Sequence, residues 1–247
     1  MPQVTIVIPT FNEAENLPQL VDSLFGLGLP DLRLLIVDDN SPDGTAEAAA
    51  QRSVAHGGRV DVLRRPGKLG LGTAYLDGFR RALAEGAQAI GQMDADFSHA
   101  PSAFPGFLDA LEHCDMVFGS RYVLGGRLDP RWSAGRQVLS RFGNAYARTI
   151  LRLHVLDATG GYRLWRRETL AAMPLERIRS NGYVFQVEMA YVAQRLGFNA
   201  VELPIYFEDR RFGRSKMSLR IQLEAALRVW QVARSHRGLR PLPHPAP

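Results

Sequence analysis

The 247-residue chain contains a single cysteine, Cys114, so an internal disulfide is excluded. No uninterrupted apolar run reaches the roughly 20 residues that a membrane-spanning helix requires. A signal-peptide pattern is also missing, because Met1 is followed almost at once by the strand-like residues 4–8. These three absences predict a cytoplasmic protein without a membrane span of its own.

Acidic residues are scarce in two parts of the chain. Residues 133–153 carry four arginines and no acid, and residues 210–240 carry Glu224 as their one acid among many arginines. Such segments favour an anionic partner, either a nucleic acid, an acidic membrane surface or a phosphate-bearing substrate, and a solvated basic face is the alternative. No nucleic-acid-binding motif accompanies the arginines, so we expect no nucleic-acid partner.

The sequence shows no arrangement of Ser, His and Asp, or of Cys and His, that is typical of nucleophilic catalysis. A dinucleotide-binding oxidoreductase is a rival interpretation, since Gly70 and Gly72 resemble part of its glycine fingerprint. The third glycine is missing, however, and the pair does not follow a strand directly. The pattern therefore argues against NAD- or FAD-dependent chemistry.

The chain does have a regular alternation of strands and helices over its first 120 residues. Strand patterns cover residues 4–9, 32–37, 60–63, 87–93 and 116–119, with helical patterns between them. This order predicts an α/β fold with a mostly parallel, twisted sheet flanked by helices. We expect a single domain over residues 1–235 and a disordered, Pro-rich tail over residues 236–247.

Two later segments, residues 133–153 and 218–235, have the spacing of basic amphipathic helices. In the first, the apolar residues recur at three- or four-residue steps: Leu139, Phe142, Tyr146, Ile150 and Leu153. A helix facing the core and a helix lying on a membrane both fit this spacing. The excess of arginine, together with Trp230 in the second segment, favours the membrane surface.

Polar clusters follow three of the predicted strands, at residues 10–13, 38–41 and 94–98. The carboxyl ends of parallel strands meet at one edge of a sheet, where ligands bind. In the third cluster Asp94 and Asp96 would share a face of an extended backbone. A hard divalent cation that also holds phosphate oxygens would relieve their repulsion. The sequence therefore predicts a nucleotide-phosphate site at this edge.

Motifs along nearly the whole chain carry a family resemblance. They are IPTFNE (8–13), VDDNSPDGT (37–45), GLGTAY (70–75), MDADFSH (93–99), GSRY (119–122), WS (132–133), TGGYR (159–163), GYVFQ (182–186) and DRRFGRSK (209–216). In this order they resemble the family 2 glycosyltransferases of the GT-A fold, and within them the dolichol- or polyprenol-phosphate mannose synthases. The likeness ends at about residue 235.

The resemblance implies transfer of mannose from GDP-mannose to a polyprenyl monophosphate, with inversion. Transfer of glucose or another hexose from a UDP-sugar to the same carrier is the alternative. Many relatives carry transmembrane helices after the catalytic region, so the implied partners include a membrane surface and a separate membrane-anchoring subunit. The expected location is the cytoplasm, peripherally at the cytoplasmic face of a membrane.

The same resemblance implies a role for each residue that matches a motif. The nucleotide pocket would be lined by Pro9, Phe11, Glu13, Val37 and Asp39. Asp94 and Asp96, flanked by Met93 and Ala95, would hold Mg²⁺ or Mn²⁺ against the diphosphate. The acceptor phosphate would be bound by Arg121, Arg136, Ser140 and Arg210, and Lys216 would approach the nucleotide diphosphate. Among all of these, the implied catalytic residues are Asp94, Asp96, Arg121 and Arg210, and the two arginines would also border the nucleotide sugar.

Overall fold

A computed structural model describes residues 3–209 and 219–243. The elements, in chain order, are β1 (Val4–Thr10), α1 (Leu17–Phe25), β2 (Leu32–Asp38), α2 (Thr45–Ala55), β3 (Val60–Arg64), α3 (Leu71–Ala84), β4 (Ala89–Gln92), α4 (Phe104–Leu111), β5 (Met116–Ser120), β6 (Arg127–Leu128), α5 (Ala134–Leu151), β7 (Arg163–Arg166), α6 (Arg167–Ala172), α7 (Gly182–Arg195), β8 (Ala200–Pro204), β9 (Tyr206–Phe207) and α8 (Leu219–His236). The strands and helices predicted up to residue 120 are all present, within a few residues of their predicted ends.

Seven strands form one sheet in the order β3-β2-β1-β4-β7-β5-β8, and β6 pairs with β9 in a second, small sheet. β1 lies in parallel between β2 and β4, with Val4 opposite both Leu32 and Ala89. β7 is antiparallel to both of its neighbours, β4 and β5. The predicted α/β fold with a mostly parallel sheet is confirmed, with one reversed strand near its centre.

Helices cover both faces of the large sheet, which explains why β1 and β2 are mostly apolar, with Thr5 and Arg33 as the polar residues inside them. On one face Val7 and Val37 pack in a core with residues of α3 and α7. On the other face Ile6 and Ile36 pack with residues of α1 and α4. Each fully buried aliphatic side chain of this kind contributes about 1.5–3 kcal/mol of hydrophobic stabilisation.

The sequence patterns did not predict α7 or β7. Most of α7 is buried on all sides, so its sequence lacks the polar stripe by which an amphipathic helix is recognised. In β7, Arg163 is fully buried and donates hydrogen bonds to the carbonyl oxygens of Gly160 (3.0 Å), Gln186 (2.8 Å) and Ala158 (2.8 Å). Burial lowers the pKa of Arg163 to about 9, which still leaves it charged at neutral pH.

Both predicted basic helices are present, but α5 buries only part of the predicted apolar stripe. Its buried residues are Asn144, Ala147 and Leu151, whereas Phe142 is 66% exposed. Tyr146 and Ile150 are partly buried against the core, and Leu153, just after the helix, is buried. Tyr146 joins the two helices, since its hydroxyl donates to Ala226 O (3.2 Å) and accepts from Trp230 Nε1 (3.0 Å).

The boundary predicted at residue 235 falls inside α8, and part of the predicted tail is packed. His236 is fully buried, with its Nε2 2.7 Å from Glu188 Oε1 of α7. Further along, Leu242 N donates to Leu196 O (2.9 Å). A buried polar pair and a backbone hydrogen bond thus hold His236 and Leu242 of the predicted tail, and its residues 244–247 lie outside the described part of the chain.

Candidate active site

Three loops that follow β1, β2 and β4 lie at one edge of the sheet, as the strand pattern predicted. Each contains a non-glycine residue in the left-handed region, namely Asn12 (φ 61°), Asn40 (φ 58°) and Phe97 (φ 62°). Asparagine tolerates this conformation, but a bulky side chain such as that of Phe97 adopts it rarely. Such local backbone strain clusters at functional sites, so these three loops are candidates for the functional site.

The first two loops are bonded to each other. Glu13 N donates to Thr45 Oγ1 (3.0 Å), and Ala14 N donates to Asp43 Oδ2 (3.0 Å). The buried Asp38 accepts from Thr10 Oγ1 (3.0 Å). The segment at residues 38–45 therefore holds the loop after β1 in place, which makes it a scaffold for the predicted nucleotide pocket.

Asp39, predicted to meet the nucleotide, forms a buried ion pair with Arg65 (Oδ1 to Nη1, 2.5 Å). Arg65 Nη2 also donates to Thr73 Oγ1 (2.6 Å) at the start of α3. Arg65 was not among the predicted site residues, although it directly follows β3 and so lies at the same sheet edge. It fixes the Asp39 carboxylate between the β2 loop and α3.

The other predicted nucleotide-binding residues differ in exposure. Pro9, Phe11 and Glu13 are partly exposed, and Lys68 Nζ lies 3.8 Å above the Phe11 ring. Val37 is fully buried and would be 3.1 Å from a Cβ at position 78 of α3. Its side chain therefore belongs to the core, and the contact of Val37 with a nucleotide stays a prediction.

Asp94 and Asp96 lie in the loop after β4, which ends two residues before the first of them. The pair is thus held by a bent loop and not, as the sequence suggested, by an extended strand end. Asp94 Oδ1 accepts from the Tyr75 hydroxyl (2.9 Å), and Asp94 N donates to His99 Nδ1 (3.0 Å). Asp96 Oδ1 accepts from Ser98 N (3.1 Å).

The neighbours of the two aspartates are buried. Met93 is 0% exposed and Ala95 is 4% exposed, and both side chains pack in the core that contains α1 and α4. These two side chains therefore support the loop from below and do not line a pocket. Across residues 3–209 and 219–243, no group of three or more His, Cys, Asp or Glu side chains is placed to hold a metal.

Arg121 is buried in a bidentate ion pair with Asp157. Its Nε and Nη2 donate to Asp157 Oδ2 and Oδ1, both at 2.7 Å, and Nη2 also donates to Thr159 Oγ1 (2.8 Å). Burial by itself would raise the pKa of Asp157, but the Arg121 charge and hydrogen bonds outweigh it and lower that pKa below its ordinary value. The pair therefore stays charged at neutral pH.

Arg136 and Ser140 lie on the first turns of α5. Arg136 Nη1 is 2.8 Å from Asp209 Oδ1, and its guanidinium lies 3.6 Å from the centre of the Trp132 ring. Ser140 Oγ is 2.7 Å from the hydroxyl of Tyr122, which directly follows Arg121. The contacts of Asp209 bring the start of the predicted DRRFGRSK motif to α5. Arg210 and Lys216 lie outside the described residues.

Large apolar side chains are exposed on α5 and α8. On α5 Val138 is 65% and Phe142 66% exposed, and on α8 Leu227 is 66% and Trp230 48% exposed. Phe142 stacks on Tyr146, whose hydroxyl accepts a hydrogen bond from Trp230 Nε1. Neighbouring exposed apolar residues rimmed by charge are a mark of protein or membrane contact. Within the described ranges, no helix combines the length and apolar character required to cross a membrane.

Known proteins resemble this chain over most of its length. The model of the family described as glycosyl transferase family 2 matches residues 5–173. An undecaprenyl-phosphate mannosyltransferase of Micrococcus luteus is 44% identical over 240 residues, covering 96% of this chain and 98% of the relative. A polyprenol monophosphomannose synthase of Mycolicibacterium smegmatis is 44% identical over 214 residues, covering 86% of this chain and 80% of the relative.

Solved structures share the fold at lower identity. A glucosyl-3-phosphoglycerate synthase from Mycobacterium tuberculosis, in complex with Mn²⁺, UDP and glucosyl-3-phosphoglycerate, is 20% identical with a TM-score of 0.65 over 96% of this chain and 80% of that one. The mannosyltransferase PcManGT from Pyrobaculum calidifontis, in complex with GDP-Man and Mn²⁺, is 20% identical with a TM-score of 0.63. The match covers 92% of this chain and 62% of that one. Both likenesses confirm the predicted GT-A fold.

The family model spans more than half of the chain. Two relatives are 44% identical to it, over at least four fifths of this chain and of each relative. The chain belongs to glycosyl transferase family 2 and is a glycosyltransferase.

Proposed function

We propose that this enzyme transfers mannose from GDP-mannose to a polyprenyl monophosphate with inversion at the anomeric carbon. The observation that carries this proposal is the 44% identity, over nearly the full length of both chains, to the undecaprenyl-phosphate mannosyltransferase. The site geometry supports it, because carboxylates for a metal–diphosphate and arginines for an acceptor phosphate lie on separate elements. In the reaction the bond from C1 of mannose to the diphosphate oxygen breaks, a bond from C1 to the acceptor oxygen forms, and GDP leaves with the electron pair.

On the donor side, Asp94 and Asp96 would hold Mg²⁺ or Mn²⁺. The donor set fits, since two carboxylates in a fixed loop are the hard oxygen ligands that both ions prefer. A divalent cation bound there would neutralise charge on the departing diphosphate. Asp39, held by Arg65, and the partly exposed Phe11 and Glu13 would bind and orient the nucleoside.

On the acceptor side, Arg136 and Ser140 would bind the polyprenyl phosphate at the start of α5. The phosphate oxygen is already anionic near neutral pH, so no general base is needed to deprotonate it. The work of the protein is then to position two phosphorylated substrates and to stabilise their charge. Arginine suits this task because its planar guanidinium binds phosphate oxygens in pairs.

We further propose that the exposed apolar surface of α5 and α8 lies on a membrane, where a polyprenyl acceptor resides. Phe142 and Leu227 are each 66% exposed, and Arg141 on the same helix as Phe142 is exposed as well. Apolar side chains that enter the interface, combined with arginines that meet anionic headgroups, bind a helix to a bilayer surface. The enzyme would then associate peripherally with the cytoplasmic face.

The double variant Phe142→Ser/Leu227→Ser should lower binding to anionic lipid vesicles at least about tenfold. Each substitution removes roughly 1.5–3 kcal/mol of apolar burial in the bilayer. Co-sedimentation with vesicles of phosphatidylglycerol and phosphatidylcholine measures the effect. Val54→Ser is the matched control, because Val54 is 85% exposed on α2, on a different helix. Equal losses in the two variants, or no loss in either, would count against a membrane role for this surface.

The reaction itself is tested with purified enzyme, a short polyprenyl phosphate, Mg²⁺ or Mn²⁺, and a panel of GDP- and UDP-sugars. We expect a mannosyl lipid from GDP-mannose alone, and NMR of the product should show the β-anomer, because the donor is the α-anomer. A product from UDP-glucose in place of GDP-mannose would reject the donor assignment. An α-linked product would reject inversion.

A further inference from the structure

The GLGTAY motif at the start of α3 has no role in the function proposed above, yet α3 packs unusually close to its neighbours. A Cβ at Gly78 would lie 2.3 Å from Val7 Cγ1 of β1, and a Cβ at Gly72 would lie 2.5 Å from Ser180 O. Real Cβ atoms do not approach other atoms so closely. Gly78 therefore allows α3 to lie directly against the sheet, and Gly72 allows it to lie against residues 180–185 at the start of α7. Tyr75 lies between the two glycines and is buried.

The Tyr75 ring is held by two other buried aromatic rings. It stacks on Phe185 of α7 (centroids 5.8 Å apart, 3° between planes) and on Phe79 of α3 (5.8 Å, 26°). All three side chains are fully buried. Rings packed in this way have one accessible orientation, so the position of the Tyr75 hydroxyl is fixed by the core and not by its polar contact.

That hydroxyl ends 2.9 Å from Asp94 Oδ1. A carboxylate can only accept, so Tyr75 is the donor. The Asp94 carboxylate is consequently hydrogen-bonded to a rigid residue of the core, on α3 and not on the loop that carries Asp94.

The main chain of Asp94 is held independently by His99. Asp94 N donates to His99 Nδ1, and the imidazole stacks on Tyr162 (4.9 Å, 17°) with its other neighbour, Phe207, edge-on (5.5 Å, 73°). An Nδ1 that accepts a hydrogen bond belongs to a neutral imidazole with its proton on Nε2. Side chain and main chain of Asp94 are thus fixed by two separate aromatic clusters.

We propose that Tyr75 is a positioning residue for the metal–diphosphate site. Its hydroxyl orients the Asp94 carboxylate. The inference rests on the proposed function, in which Asp94 and Asp96 hold a divalent cation. A hydrogen bond to a ligating carboxylate fixes its orientation before the metal arrives, and loss of such a partner lowers metal affinity by about 10- to 100-fold. The glycines of α3 are then required for function because they bring Tyr75 within reach of Asp94.

The test is Tyr75→Phe, which keeps the stacked ring and removes one hydroxyl. The Kd of Mn²⁺ is measured in the presence of GDP by electron paramagnetic resonance of the free ion. We expect that Kd to rise at least about tenfold. Transfer at low Mn²⁺ should fall in parallel and recover at saturating Mn²⁺, which a general folding defect would not allow.

Tyr191→Phe is the matched control, because Tyr191 is also a buried tyrosine, lies in the same core as Tyr75, and belongs to α7 and not to the two clusters that hold Asp94. The control should keep the wild-type Kd of Mn²⁺. An unchanged Kd in Tyr75→Phe, or equal changes in both variants, would overturn the role of Tyr75. Wild-type enzyme that fails to bind Mn²⁺ with GDP would instead reject the proposed metal–diphosphate site itself.

Discussion

Asp96→Asn should lower the turnover of mannosyl transfer by at least about 10³-fold, or roughly 4 kcal/mol of barrier. The substitution keeps an oxygen that can accept the hydrogen bond from Ser98 N and leaves the size of the side chain unchanged. What it removes is a negative charge at the point where Asp94 and Asp96 would hold a divalent cation. The loss should therefore appear in catalysis and in Mn²⁺ affinity, with little change in the unfolding temperature.

Single-turnover transfer from radiolabelled GDP-mannose, combined with Mn²⁺ titration and thermal unfolding, measures these three quantities. Asp61→Asn is the control, since Asp61 forms a partly exposed ion pair with Arg33 on β2 and lies outside the site. It should retain wild-type turnover. If Asp96→Asn kept both wild-type turnover and wild-type metal dependence, the assignment of the metal–diphosphate site to this loop would be wrong.

The first half of the fold could be predicted because its elements leave simple patterns in the sequence. β1 and β2 are mostly apolar, and α1 between them buries Leu17, Leu20, Val21 and Leu24 at helical spacing. α7 and β7 left no such pattern. A helix that is buried on nearly every side has no polar stripe, and β7 carries the charged Arg163 into the core, where three carbonyl oxygens satisfy it. Tertiary packing, not local periodicity, defines these elements.

The site could be predicted in outline for the same reason. Polar residues after β1, β2 and β4 had to meet at the carboxyl edge of a parallel sheet, and this places Asp39 and Asp94 correctly. The same rule applied to β3 would have found Arg65, the residue that follows it. Val37 differs from Asp39 in position, since its side chain is buried within β2 while Asp39 lies past the strand end.

Contacts between distant elements could not be read from the sequence. Tyr75 reaches Asp94 from α3, which Gly78 lets lie close to the sheet and Gly72 lets lie close to the start of α7. Asp157 meets Arg121 because β7 enters the sheet next to β5, in the reverse direction. Neither pairing follows from spacing or periodicity, so the family resemblance implied a phosphate-binding role for Arg121 but did not reveal its buried partner.

The buried ion pair of Arg121 with Asp157 is the basis of the second large expected effect, a loss of stability. Arg121→Ala should lower the free energy of unfolding by about 3–5 kcal/mol, because it leaves the Asp157 carboxylate buried without its counter-charge. Arg136→Ala should cost no more than about 1 kcal/mol, since the ion pair of Arg136 with Asp209 is partly exposed. Urea unfolding of both variants measures the contrast. Arg136 is therefore the cleaner probe of acceptor binding, because loss of transfer in Arg121→Ala would mix misfolding with chemistry.

A double substitution separates the contribution of Arg121 to stability from its contribution to acceptor binding. In Arg121→Met/Asp157→Asn the buried charge is gone, while the amide oxygen still accepts from Gly160 N, as Asp157 Oδ1 does (3.1 Å). This variant should recover at least about 1 kcal/mol of stability over Arg121→Met alone. If it regains stability but not transfer, with GDP-mannose affinity intact by calorimetry, Arg121 also acts on the acceptor phosphate. If Arg121→Ala instead unfolds like the wild type, the buried pair does not stabilise the fold, and the structural role assigned to Arg121 fails.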